Sequence, residues 1–278
     1  AELQRLWAEV TERPNFLGDR AGVLERLIPL LPGLGRGDEA MLVERGFPLP
    51  EDGEKKSRDQ LCEVLRSRWY LTGSEIDAIL KDREFFQPYL RNALARRAEL
   101  GTVPESPIDA TDANGLFVLT ELGDASIIPD LLLCIRMREA DLNRLYGDVL
   151  TEHFWLPFAK LGHASLHELW DFVADPASYL YARHAVIDGI VAMPHFHPEQ
   201  RAAAVAFIER LLDDPHDIPA DHLAGILCDC ADSGLTELSE QAERFAVAMD
   251  AVEDEGSHMA TADDIRRAFA EGPRKDFI

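Results

Sequence analysis

Several things are scarce in this chain, and each scarcity removes a class of protein. Cysteine occurs four times in 278 residues, as Cys62, Cys134, Cys228 and Cys230. That is too thin for a disulfide framework, and a reducing, cytoplasmic home is the expectation. No apolar run approaches the roughly 18 residues that a membrane helix needs. The opening AELQRLWAEV reads as amphipathic helix rather than a secretory leader, and Ala1 in place of Met points to a trimmed or missing start. Runs of β-branched residues alternating with polar ones are absent, so no strand is expected. No GxGxxG, P-loop, GxSxG or HExxH string occurs. Gly33-Leu34-Gly35-Arg36-Gly37 has a glycine rhythm but follows no strand. The residues call for no cofactor and no metal.

Basic residues are scarce as well, but only in the last two-thirds. Residues 1–100 hold 16 Lys and Arg against 18 Asp and Glu. Of the chain's 28 basic and 51 acidic residues, 12 and 33 therefore remain, a net of −21 out of −23. Such a surface repels phosphate backbones, which bind through Lys and Arg by releasing counterions. Nucleic acid and anionic membrane are disfavoured as partners, and a basic protein surface is the natural complement. The plainer reading is that acidic surfaces keep proteins soluble.

What is present is helical text that repeats. FVLTELGDASIIPDLLLCI from Phe117 and FWLPFAKLGHASLHELWDFV from Phe154 align through Leu122-Gly123-x-Ala125-Ser126 and Leu161-Gly162-x-Ala164-Ser165, an offset of 39 residues. A period near 40 made of helix pairs is the mark of HEAT or armadillo arrays. The expected fold is all-α, a HEAT/armadillo-like α-solenoid forming a right-handed superhelix of antiparallel helix pairs. An N-terminal helical cap and loop fills 1–56, with helices over 2–11 and 20–31. The array fills 57–253, and a linker with a capping helix over 260–270 fills 254–278. Within the array, helices are expected at 58–71 (capped by Ser57), 75–81, 84–99, 112–122, 126–138, 141–161, 165–174, 178–192, 198–212, 219–232 and 235–252. Ser126 and Ser165 are expected as caps, Pro157 as a kink or break, Met193–Pro198 as a loop, and Gly234 as a helix stop. The string GSHM at 256–259 also arises as the remnant of tag cleavage; if so, 260–278 stand outside the native array.

Three strings carry a family resemblance: AILKDREFFQPYLRNALARRA at 78–98, LYGDVLTEHF at 145–154 and CADSGLTEL at 230–238. Over roughly 73–250 the chain resembles a bacterial family of domains of unknown function with HEAT-like repeats, most specifically at Tyr146-Gly147-Asp148-x-x-Thr151-Glu152. Members often carry a C-terminal SEC-C metal motif. This chain has no cysteine after Cys230, so the resemblance implies a helical-repeat fold without a zinc tail, and no activity or catalytic residue.

The candidate binding site is Arg144, Tyr146, Asp148, Thr151 and Glu152. On one helix over 141–152, Arg144, Asp148 and Glu152 fall at i, i+4 and i+8 and line one face. Gly147 costs a helix roughly 1 kcal/mol relative to Ala, which suggests close approach by a neighbour or ligand. The structural alternative is an Arg–carboxylate ladder ordering adjacent repeats. His163, His167, His195 and His197 have partial metal spacing, but the two in the PHFHP stretch would point apart. Cys228 and Cys230, about 200° apart on a helix, read as core packing rather than ligands. Aromatics cluster at Phe154, Trp155, Phe158, Trp170, Phe172, Tyr179 and Tyr181, mostly as core, with one or two available as anchors. The expected function is a non-enzymatic interaction module that holds a basic protein or peptide. The rival is an enzyme using Asp148 and Glu152 with a nearby histidine as acid–base groups.

Overall fold

The computed structural model describes residues 56–67, 71, 73–101, 110–251 and 260–274. The helices expected over 2–11 and 20–31, nearly all of the 32–56 loop and the GSHM string lie outside the described residues. Every regular element among the described residues is helical, and none is a strand. None of these helices is long and apolar enough to cross a membrane. Two compact units emerge: Ala1–Phe86 with Asp109–Asn114, and Gln87–Ile108 with Gly115–Ile278.

In the first unit, α1 (Arg58–Ser67) starts with a reciprocal cap. The Gln60 N–H donates to Ser57 Oγ at 3.3 Å, and the Ser57 N–H donates to Gln60 Oε1 at 2.7 Å, satisfying two donors that a helix start leaves unpaired. Leu61, Val64 and Leu65 form its buried face, and Ile79 of α2 (Gly73–Lys81) and Phe86 are buried as well. Asn114 Nδ2 donates to the Leu65 carbonyl at 2.9 Å, and the Ala110 N–H to that of Arg66 at 3.1 Å. The end of α1 is thereby satisfied by a segment some 45 residues further along. Two helices, α3 (Arg83–Leu100) and α4 (Thr111–Glu121), supply residues to both units.

The second unit continues with α5 (Ile128–Cys134), α6 (Glu139–Leu145), α7 (Asp148–Glu152), α8 (Trp155–Leu161), α9 (Leu166–Val173), α10 (Leu180–Phe196), α11 (Arg201–Asp213), α12 (Ala220–Asp232), α13 (Ser239–Asp250) and α14 (Ala262–Glu271). Packing is between near neighbours in sequence: α8 on α10, α10 on α11 and α12, α12 on α13 and α14, α13 on α14. The expected last helix is present, with Thr261 and Asp264 forming a capping box and Ile265 buried in the core it shares with Ala224, Leu227, Ala242 and Ala246. Side-chain hydrogen bonds that reach across the unit recur at separations of 32 to 39 residues: Gln87 to Asp124, Lys160 to Glu121, His197 to the Lys160 carbonyl, His222 to His184, Arg201 to Glu237, Gln241 to Glu209.

Helix boundaries depart from the periodicity in several places. The helix expected over 141–161 is interrupted not at Pro157 but at Tyr146-Gly147 and again at His153. Pro157 is the third residue of α8, where a missing N–H costs no intrahelical bond. The stretch expected as a loop at Met193–Pro198 is helix to Phe196, with Pro194 so near the end that little of the ladder is lost. Ser126 and Ser165 do not cap through their side chains. Ser126 Oγ donates instead to Asp124 Oδ1 at 2.7 Å, and a 3₁₀ turn over Ala125–Ile127 satisfies the entering N–H groups. Gly234 does stop its helix: at φ +82 it gives its N–H to Ala231 O, while the Leu235 N–H bonds Cys230 O, the double bond of a Schellman turn.

Candidate functional site

The YGDVLTE stretch departs from the geometry expected of it. α6 ends at Leu145, and the Tyr146 and Gly147 N–H groups both reach back to Leu142 O, at 2.8 and 3.3 Å. Gly147 then adopts φ +48, ψ −131, a region open in practice only to glycine. A new short helix starts at Asp148. Arg144 therefore does not share a helix with Asp148 and Glu152, and the expected three-step face does not exist. Gly147 is a turn glycine rather than a contact glycine, because an added β-carbon would meet only Asn143 O, at 3.6 Å.

The five predicted residues separate accordingly. Tyr146 is buried, with its ring centroid 4.8 Å from that of Phe154; Phe154 in turn meets Phe117 edge-on at 6.3 Å. This stack, with Leu150, anchors the interruption to the core. Arg144 and Glu152 are exposed, and Glu152 lies 3.7 Å from His153 Nε2. Asp148 and Thr151, by contrast, line an open cavity of about 460 Å³ together with Asn143, Gly147, Leu150, Tyr179 and Tyr181. Thr151 Oγ1 spends its proton on the Asp148 carbonyl at 3.0 Å.

The opposite wall comes from the start of α10. Tyr179 and Tyr181 meet edge to face, centroids 5.5 Å apart. Burial raises the Tyr179 phenol above its ordinary range; a hydrogen bond with Asn143 works against this, and the charges of Glu139 and Tyr181 add to it. Tyr179 thus stays a neutral phenol. Tyr181 is 37% exposed, whereas Trp170, Phe154, Phe158 and Phe172 are at 7% or less. Of the aromatics that cluster in the sequence, these two tyrosines line this cavity. Asn143, which carries no sequence signal, lines the cavity from α6.

From Tyr181 a strip of titratable groups continues along α10 to α12. Tyr181 lies 6.3 Å from His184 and 5.9 Å from His222, ring to ring, and His222 Nδ1 and His184 Nε2 share a hydrogen bond at 2.9 Å. Burial pushes His184 down to about 4; the neighbouring His222 and Arg183 push the same way and Asp221 opposes them. Beyond them, burial drives Asp188 well above the carboxylate range, with Asp229 adding to it. Asp229 itself rises to about 6 through burial and Asp232, with Arg274 opposing.

The remaining candidates do not assemble into chemistry. His163 and His197 are brought together, rings 4.0 Å apart, but His167 pairs with Asp171 at 3.2 Å. Among the described residues no three His, Cys, Asp or Glu side chains are grouped as a metal site needs. Burial raises the Cys228 thiol to about 11 and lifts Cys230 well above the usual thiol range, with Asp229 adding to both, so neither is a ready thiolate. No family model matches this chain, and no curated protein or solved structure matches it.

Proposed function

We propose that this chain is a non-enzymatic interaction module with HEAT-like helix pairs stacked as a solenoid, which holds a basic segment of another protein against an acidic surface. Three features support the repeat architecture: packing in the second unit mostly between helices close in sequence, polar contacts returning at 32 to 39 residues, and a Schellman turn at both Gly123 and Gly234 followed by a 3₁₀ turn into the next helix. Stacked helix pairs leave extended surfaces suited to partners.

The observation that carries the functional reading is Asp148. It stands exposed at an open, tyrosine-lined cavity and makes no ion pair among the described residues. No cationic side chain lines that cavity. A carboxylate so placed, in a region with 33 acidic and 12 basic residues, complements a cation brought by a partner. The test is calorimetric titration with a short peptide of alternating arginine and glycine, beside an aspartate counterpart. Only the basic peptide should bind, with affinity falling about tenfold or more between about 50 and 300 mM salt. The double change Asp148→Lys, Glu152→Lys should weaken it comparably. Failure of the basic peptide to bind at low salt would remove this reading.

A further inference from the structure

The cavity offers a particular inventory of partners. Asp148 contributes a carboxylate, Asn143 an amide, and Thr151 the lone pairs of a hydroxyl whose proton is already used. Tyr179 and Tyr181 contribute two rings about 63° apart, and Leu150 is apolar. No cationic side chain is among the lining residues. The walls therefore combine one carboxylate, neutral polar groups and π-faces with no cation, which suits an occupant that is flat and cationic, and repels an anion. A guanidinium has five N–H donors in a plane, no acceptor, and a weakly hydrated face that stacks on rings. An ammonium is compact and strongly hydrated, and gains less from paired rings.

The protein already treats its own guanidinium groups this way. Arg210 lies 3.7 Å from the Trp170 ring centroid and Arg136 5.5 Å from that of Phe172. Among the described residues no cation stands over Tyr179 or Tyr181. We infer that the cavity between α7 and the start of α10 is an arginine-recognition site, taking one arginine side chain of the basic segment between Tyr181 and the Asp148 carboxylate. This rests on the interaction reading above and adds to it a discrimination that acidity alone does not provide.

The test uses three peptides of one length and spacing, carrying arginine, lysine or citrulline, the last a neutral mimic of arginine. The whole chain is titrated with each, as are Asp148→Asn and Tyr181→Ala. Both positions are exposed, and an unchanged circular dichroism melt verifies that the variants fold. The arginine peptide should bind about tenfold more tightly than the lysine peptide, and citrulline should abolish binding. Each substitution should erase the preference for arginine; Asp148→Asn should weaken the lysine peptide as well, because it removes the carboxylate that complements either cation. Equal binding of arginine and lysine peptides, or a preference that survives both substitutions, overturns the arginine site but leaves the acidic surface standing. No binding by either basic peptide removes both.

Discussion

A β-carbon placed on Gly189 of α10 would come within 2.4 Å of the Phe158 β-carbon of α8, and within 2.8 Å of the Trp155 carbonyl oxygen. The two helices cross with backbone against backbone, and the absent side chain is what permits it. α8 and α10 are the most closely associated helices of the second unit, and the cavity that holds Asp148 is bordered by the segments just before each of them. In a helix interior, Gly→Ala ordinarily gains about 1 kcal/mol. Here the new methyl meets main chain and a β-carbon, neither of which can swing aside. Overpacking of that kind costs roughly 1–3 kcal/mol, occasionally more. The steric term wins, and Gly189→Ala should lower unfolding stability by about 2 kcal/mol net, visible as a shifted urea midpoint with unchanged slope. A variant as stable as the parent would mean that the helices do not approach so closely.

The paired strings LGDAS and LGHAS make opposite demands on their glycines. Gly123 sits at φ +71 in open space, closing a Schellman turn with its N–H on Thr120 O and the Asp124 N–H on Leu119 O. Gly162 has an ordinary helical φ of −73, but its β-carbon would meet Leu169 Cδ1 at 2.9 Å. At position 123 the cost of alanine is conformational, roughly 1–2 kcal/mol, and asparagine, which tolerates the left-handed region, should cost less. At position 162 the cost is one of space, so asparagine should cost more than alanine. Thermal melts of the four single variants check the crossed ranking; the same order at both sites would show that the two strings build the same turn.

These two glycines also show how far the fold was legible in advance. The all-helical class and most helix spans follow from spacing alone, because each helix must bury a stripe to be stable. The repeat of LG-x-AS suggested equivalent turns, yet the structural counterpart of Gly123 is Gly234, whose surroundings (SGLTEL) look unlike it. The backbone angle at a glycine is set by what packs beyond it, and the string itself holds no record of that. Gly147 and Gly189 illustrate the same limit in reverse. The cost of a glycine inside a helix suggests a close approach at Gly147, which is a reversal, while Gly189, inside the apolar VIDGIVA run, is the close approach. Of the five candidate site residues, Asp148 and Thr151 reach the cavity. Tyr146 turns into the core because it continues the buried stripe of Leu142 and Leu145.

Asp229 carries a cost at neutral pH that can be removed. Burial and the neighbouring Asp232 raise its carboxyl from 3.8 to about 6, so the folded state holds its proton where the unfolded chain has released it. A raised carboxyl favours the fold below pH 3.8 and loses that contribution as pH rises through 6. The interval of about two units corresponds to about 3 kcal/mol. Asp229→Asn should therefore leave stability nearly unchanged near pH 4 and raise it by about 2–3 kcal/mol at pH 7.5, where it also relieves Asp188 across the helix pair. Urea midpoints of variant and parent over that range decide it, and a difference that does not grow with pH would place Asp229 in open water.

His184 should give the mirror-image curve. Its imidazole falls from 6.5 to about 4, first through burial and then through His222 and Arg183, against a weaker pull from Asp221. On acidification the unfolded chain takes the proton first, so the stability this group allows is complete above pH 6.5 and drains away as pH falls toward 4. Each unit is worth 1.36 kcal/mol, so about 2 kcal/mol is lost by pH 5. Glutamine keeps a polar atom for His222 Nδ1, which His184 Nε2 now meets at 2.9 Å, but cannot titrate. At pH 7.5 His184→Gln should lie within about 1 kcal/mol of the parent, the scale of one altered hydrogen bond. By pH 5 it should have gained about 2 kcal/mol on the parent, the opposite slope to Asp229→Asn. Taking the difference at each pH cancels every carboxylate that the two proteins share. If His184→Gln and its parent keep a constant separation from pH 7.5 to 5, the histidine pair is hydrated and the strip from Tyr181 to α12 is not closed over it.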